Sequence, residues 1–478
     1  MFEQLIYGAS EKSRDNFRQL TARMVELLET GRPRGAYEGD SPAAIGARLA
    51  QSGGGDWEAD LEYLIRKSIA PWHPHTAAHL HTPVLTPAAA VELVIGALNQ
   101  SMDSFDQAPS ASMVEIWLMG WLTRLVGLSA DGGAVMTSGG TQSNYTGMLL
   151  ARDRCIQRLW NWNAAEQGLP LEAARLRIFC SEIAHFSVEK AAAQLGLGRR
   201  AVIRVPVDAR YRMRVDALAA AIEQSRARGE VPMAVAATLG TTDFGSIDPV
   251  EKIAAICEPL GLWLHADAAY GGAMLLSPAL RGRLRGIERA DSITIDFHKA
   301  FFQPISCGAV LVRDRASFAP LRFHADYLNG EDRERDGFPD LVTCSLATTR
   351  RWDALKMWVS LRAVGESTMG EMVAALANLA TETARILAVR AGFEVLHEPE
   401  FGCVVFRYRD SDTLNEEIPK RLFLAGQAVV GHTRVHGRPA MKFTLNNPCV
   451  APGDIAAMLD KIESCAAGIE EAELATCK

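Results

Sequence analysis

Ser292-Ile293-Thr294-Ile295-Asp296-Phe297-His298-Lys299 is the stretch on which the fold turns. Its first half, rich in β-branched side chains, has the pattern of a short strand. Its second half ends in a lysine, and the apolar Ala300-Phe301-Phe302 follows. A lysine between two apolar segments at a strand end loses water. Desolvation favours the neutral amine, which is the nucleophile that forms imines. By itself the pair His298-Lys299 reads as readily as a solvated loop pair.

The pattern recurs along the chain. Strand patterns occupy Ala134–Thr137, Arg177–Cys180, Ala201–Val205, Met233–Leu239, Leu262–His265 and Ala309–Val312. Helical patterns lie between most of them, such as Thr141–Arg158, Val215–Arg228 and Val250–Glu258. With Ser292–Ile295 this makes seven strands, and the alternation predicts an α/β fold with a mainly parallel sheet covered on both faces over residues 83–350. Residues 1–82 read as an N-terminal helical segment with irregular loops, including Gln51 to Gly55. Residues 351–478 read as a small C-terminal α/β domain that opens on the helix Trp352–Val364. The charged segment Asn329 to Asp340 has no apolar period and reads as a mobile loop that closes over a site.

A chain of 478 residues can bury a large core and hold two or three domains. Its net charge of −7 leaves no electrostatic footprint for nucleic acid. No apolar run approaches the roughly 20 residues that span a bilayer, and no basic segment followed by an apolar core marks a secretory signal. The nine cysteines form no CxxC and no Cys/His cluster, so the expectation is reduced thiols, a cytoplasmic protein and no metal site.

Several stretches carry chemistry at strand ends. Thr137-Ser138-Gly139-Gly140-Thr141-Gln142-Ser143-Asn144 stands between a strand and a helix. Small residues let the backbone approach an anion, and helix N-terminal amides and hydroxyls donate to it. The turn matches neither GxxxxGK[ST] nor GxGxxG, so it is a phosphate cradle of another kind or a plain strand-to-helix turn. Asp267 ends the apolar strand Leu262-Trp263-Leu264-His265-Ala266. A carboxylate there is costly unless paired. A pyridinium nitrogen suits it, because the anion keeps the ring protonated and electron-withdrawing. A helix N-cap is the alternative. His185, within Ser181-Glu182-Ile183-Ala184-His185-Phe186-Ser187, can stack on a flat ring or be a satisfied loop histidine. Thr238-Leu239-Gly240-Thr241-Thr242 brings hydroxyls after another strand. Ligands of open α/β sheets bind at strand carboxyl ends, so these groups can converge at one edge. Together they are the parts of a pyridoxal 5'-phosphate (PLP) site.

The order of SGGTQSN (138–144), CSEIAHFSVEKA (180–191), ATLGTTDFGSIDP (237–249), LHADAAYGG (264–272) and DFHKAF (296–301) resembles the PLP-dependent group II amino-acid decarboxylases. That family includes the aromatic-L-amino-acid, glutamate, histidine and 2,4-diaminobutyrate enzymes. The resemblance runs from about residue 57 to 365. It implies a type I, aspartate-aminotransferase-like fold and a homodimer with active sites at the interface. It makes Lys299 the Schiff-base lysine and Asp267 the pyridinium partner, with His185 stacked on the ring. Gly140, Thr141 and Asp296 would lie at the phosphate, Thr242 near the ring hydroxyl, and His298 over the cofactor region.

HPHTAAHLHTP (73–83) and NQSMDSFDQAPSASMVE (99–115) resemble, more narrowly, the bacterial enzymes that decarboxylate L-2,4-diaminobutyrate or L-lysine, often for siderophore synthesis. The aromatic enzymes carry bulky rings where this chain has Thr76, Ala77 and Ala78, and again where it has Asp103 and Asp106. Rings lost and carboxylates gained suit a substrate with a distal ammonium. His79, His81 or backbone carbonyls are the alternative recognition groups, and Asp103 and Asp106 read equally as turn residues. The tyrosine that protonates the carbanion in the aromatic enzymes aligns with Leu341, and Tyr327 lies outside that register, which leaves His185 as a candidate proton donor. The expected activity is decarboxylation of a basic L-amino acid to a diamine for siderophore or polyamine synthesis. An aromatic or acidic amino-acid decarboxylase, a type I aminotransferase and a silent PLP-binding protein are the rivals.

Overall fold

The computed structural model describes residues 2–51, 56–325, 328–330 and 335–476. Tyr327, residues 52–55 of the expected glycine-rich loop, and residues 331–334 of the segment read as a mobile loop lie outside the described residues.

Seven strands form one sheet: β1 Gly133–Thr137, β2 Leu176–Ser181, β3 Val202–Val205, β4 Val231–Thr238, β5 Trp263–Asp267, β6 Ser292–Asp296 and β7 Gly308–Val312. Each lies within two residues of its expected place. Their order is β1-β7-β6-β5-β4-β2-β3. The sheet is parallel except for β7, which runs antiparallel to β1 and β6. Strands β5, β6 and β7 are buried at every residue, as expected of a sheet covered on both faces.

Register aligns the strand ends that matter. Thr238, Asp267 and Thr294 are successive pairing partners across β4, β5 and β6. Thr137, Gly308 and Asp296 are partners across β1, β7 and β6. Paired residues share a sheet face, and so do residues two apart on one strand. Asp267, Thr294 and Asp296 therefore emerge on the same side. The helix Gly140–Trp160 starts at the end of β1. Gly139 before it has φ 147°, and a Cβ there would come within 2.8 Å of His298 Cε1. Only glycine accepts both that backbone and that contact.

The chain divides into two compact units rather than the three expected spans 1–82, 83–350 and 351–478. One comprises Leu80–Thr381 and His397–Val404 and contains the seven-stranded sheet. The other joins the chain up to His79 with Glu382–Leu396 and the segment from Val405 onward. It carries all but Cys403 and Val404 of a second sheet, in the order Thr76–Ala77, Val429–Val435, Arg438–Thr444, Cys403–Tyr408, Phe393–Val395. Thr76 and Ala77 pair in parallel with Val429 and Val430. Periodicity reports a local face but not a partner strand hundreds of residues away, so the N-terminal segment reads as separate until it is folded.

One helix departs from the sequence reading. Glu366–Val389 is long and apolar enough by composition to cross a membrane. Met369, Val373, Leu376 and Ala380 recur on it at spacings of three and four and are completely buried, the stripe of a core helix.

Candidate active site

The carboxyl ends of β1, β2, β4, β5 and β6 surround one cavity of about 320 Å³. Lys299, His298 and Asp296 reach it from the end of β6, and Asp267 from β5. Thr242 comes from the turn after β4, His185 from the segment after β2, and Gly140 and Thr141 from the helix start after β1. All the residues expected at a cofactor thus line one space, as the strand-end argument required.

Lys299 Nζ lies 3.2 Å from Asp296 Oδ2, and the lysine side chain is 21 % exposed. The sequence reading placed this amine among apolar groups and Asp296 at the phosphate; the tight turn after β6 folds that carboxylate back onto Lys299. His298 Nε2 is 3.6 Å from the same oxygen. Its Nδ1 lies 2.8 Å from the Cys307 carbonyl and 3.2 Å from the Cys307 amide nitrogen, which holds the ring against the start of β7. Asp296 Oδ1 is buried and has no hydrogen-bond partner among the described residues.

Asp267 is 6 % exposed. Its Oδ2 accepts from Asn144 Nδ2 at 2.8 Å, and its Oδ1 from the Ala269 N–H at 3.2 Å. Asn144 sits on the first turns of the helix Gly140–Trp160, and its Oδ1 accepts from Thr294 Oγ1 at 2.7 Å. His185 packs on Phe186 with ring centroids 4.2 Å apart, and its Nδ1 is 2.8 Å from Ser187 Oγ. Burial is the main cause holding the His185 imidazole below its ordinary pKa. Asp267 opposes it, and the Lys299 ammonium adds to it.

The three residues expected at the substrate do not line this cavity. Asp103 is occupied in its own turn: Oδ1 accepts from Ser101 Oγ at 2.6 Å and Oδ2 from Thr349 Oγ1 at 3.2 Å. Asp106, three residues further on, is exposed. His79 is exposed and borders a cleft in the other unit with Glu416, Glu417 and His432. Among the described residues no group of three or more His, Cys, Asp or Glu is arranged to hold a metal ion.

The pyridoxal-dependent decarboxylase conserved domain matches residues 55–409. The chain belongs to the pyridoxal-dependent decarboxylase family. It is 42% identical over 426 residues to the L-2,4-diaminobutyrate decarboxylase of Acinetobacter baumannii, covering 86% of this chain and 84% of that one. It is 39% identical to the L-2,4-diaminobutyrate decarboxylase of Rhizobium meliloti (strain 1021), covering 97% and 94%. The crystal structure of the glutamate decarboxylase domain of diaminobutyrate-pyruvate transaminase and L-2,4-diaminobutyrate decarboxylase from Vibrio parahaemolyticus superimposes with a TM-score of 0.89 at 36% identity, over 98% of this chain and 99% of that one. The fold is the type I PLP fold, and the chain is a PLP-dependent amino-acid decarboxylase.

The residues present fit that cofactor. The Asp267 carboxylate keeps acceptor capacity beyond its two protein donors. The helix beginning at Gly140 offers its first amides beside the Thr141 hydroxyl, a site for an anion.

The sequence reading gave no role to Asn144, Ser187, His265, Ser292 and Thr294, all buried polar residues around the decarboxylase's site. A signal existed. His265 and Asp267, and likewise Ser292, Thr294 and Asp296, are polar at every second position of otherwise apolar strands. In a sheet buried on both faces that alternation marks a polar face turned to something specific.

Proposed function

We propose that this decarboxylase acts on a basic L-amino acid and releases a diamine and CO₂, with L-2,4-diaminobutyrate as the preferred substrate over L-lysine and ornithine. The observation that supports it is the likeness to two L-2,4-diaminobutyrate decarboxylases over 86% and 97% of the chain. Lys299 would bind the cofactor covalently and yield it to the substrate amine. Gly140 and Thr141 would hold its phosphate, Asp267 its ring nitrogen, His185 one face of its ring and Thr242 the hydroxyl side. PLP held there supplies the sink for the electron pair left when the Cα–carboxylate bond breaks. The chain's own residues orient that bond, exclude water and let one proton return to Cα.

The test is a panel of basic, acidic and aromatic L-amino acids, read by CO₂ release and by mass spectrometry of the product. Diamines should form fastest. Faster turnover of an acidic or aromatic substrate, or a requirement for a keto acid, would overturn the reading. We further propose a homodimer that shares its sites, which sedimentation at micromolar protein would show. In such a dimer Asp103 or Asp106 would meet the distal ammonium, and single Asn variants of each tell them apart. The diamine would feed siderophore or polyamine synthesis in the cytoplasm, and a disruptant should lose those products unless the diamine is supplied.

A further inference from the structure

Behind the cavity wall runs a chain of hydrogen bonds whose direction can be derived. It starts at Trp263 Nε1, which can only donate, and which lies 2.7 Å from Ser292 Oγ. Ser292 keeps its own proton, and His265 Nδ1, 2.8 Å away, accepts it, because Asn144 Oδ1 at the other ring nitrogen can only accept. His265 is fully buried, and burial holds its pKa down at about 4, so the ring is neutral. With Nδ1 accepting, its proton is on Nε2, 2.9 Å from Asn144 Oδ1. Asn144 then turns its NH₂ the other way, where it donates to Asp267 Oδ2 and to Ser187 Oγ, each at 2.8 Å. That orientation is the one an acceptor-only carboxylate demands. Ser187, already accepting, has its hydroxyl proton for His185 Nδ1 at 2.8 Å, and its backbone N–H points at the same nitrogen at 3.3 Å.

We propose that this one-way relay from Trp263 through Ser292, His265, Asn144 and Ser187 sets the tautomer of His185, so that its ring presents an N–H at Nε2 to the ligand. Asn144 and Ser187 are positioning residues, and Asn144 ties the carboxylate of Asp267 and the imidazole of His185 to one amide. The helix is shaped for the relay: a Cβ at Gly147 would come within 2.5 Å of His265 Nδ1 and 3.0 Å of Ser292 Oγ. The consequence is chemical. A neutral imidazole with its proton on Nε2 recognises an oxygen acceptor on the ligand, not a cation. To serve as a proton source for carbon, His185 would first have to be protonated at Nδ1, against the Ser187 hydroxyl. The charged groups that act on His185 are Asp267, Asp296 and Lys299, and Asp267 alone acts on His265.

This inference rests on the proposed function only for its catalytic consequence. Protein carrying ¹⁵N-labelled histidine, with and without PLP, is read by long-range ¹H–¹⁵N correlation, with the His185 signals identified by their loss in His185→Gln. Neutral His185 should carry its proton on Nε2. Ser187→Ala removes the donor that favours the neutral ring, so its titration should move up by about one pH unit, and both tautomers should appear. The acid limb of kcat/KM should move up equally while the cofactor absorbance stays. Ser187→Thr, which keeps the hydroxyl, should restore both. A proton on Nδ1 in the parent protein overturns the proposal, as does Ser187→Ala with an unchanged tautomer and titration. If Ser187→Ala does not fold, the parent spectrum alone decides. The tautomer is read whatever amino acid is decarboxylated, so it can fail while the substrate reading stands, and the reverse.

Discussion

Replacing Asp267 by alanine removes a carboxylate that is 6 % exposed and held by two donors, Asn144 Nδ2 at 2.8 Å and the Ala269 N–H at 3.2 Å. In the proposed site its partner on the cavity side, the cofactor's ring nitrogen, would then be a cation without a counter-charge. Breaking a buried pair from one side costs about 3–5 kcal/mol. At about 1.4 kcal/mol per decade this is a loss of roughly a thousandfold in kcat/KM. The fold should survive, because the desolvation of the carboxylate is relieved as its two donors lose their acceptor. Those donors cost about 1–3 kcal/mol each when left unsatisfied, which bounds the loss of stability. Steady-state decarboxylation of the preferred substrate at saturating PLP measures the first effect, and urea unfolding of the same protein measures the second. An Asp267→Ala enzyme within tenfold of the parent, folded and loaded with cofactor, would refute the assignment and leave Asp267 as a strand-end residue that anchors Asn144.

Lys299→Ala should abolish turnover and the visible absorbance of the loaded protein, and borohydride should fix the cofactor to Lys299 in the parent; a colourless but active parent enzyme would sink the cofactor reading. Gly147→Ala should lower stability by up to about 2 kcal/mol, since overpacking a filled core costs about 1–3 kcal/mol against about 1 kcal/mol gained by taking glycine out of a helix; a higher urea midpoint would contradict the packing described. Between pH 6.5 and about 4 the unfolded chain protonates His265 while the folded chain excludes that proton, so stability falls as pH falls, by roughly 3 kcal/mol over the range. Asp248, pushed up to about 7 by burial, acts with the opposite sign, so the measurement is the difference between His265→Gln and the parent, and an identical pH slope in the two proteins would dispose of the claim. Either Asp103→Asn or Asp106→Asn should cut kcat/KM for diamino acids at least tenfold and spare cofactor binding; wild-type kcat/KM of both variants on every basic substrate would move recognition elsewhere.

The strands and the glycine-containing turn after β1 were legible because their signals are local. Largely apolar runs such as Ser292–Ile295, with its β-branched side chains, and Leu262–His265, each ending in a small-residue or charged turn, bear the marks of parallel strands buried on both faces. Lys299, Asp267, His185 and Gly140 could be placed together because the rule that ligands sit at strand carboxyl ends needs only strand boundaries. What depends on pairing was not legible. The reversal of β7, the parallel pairing of Thr76–Ala77 with Val429–Val430, and the joining of both chain ends in one unit are long-range choices set by competing burial. Asn144 and Asp267 are 123 residues apart in sequence, and neither stretch alone says that one amide will serve the carboxylate and Ser187 together. A hydrogen bond binds within about 3 Å and carries no information along the chain. The sequence by itself determined which groups reach the sheet edge, and only the tertiary structure decided which of them face one another and in which direction their protons point.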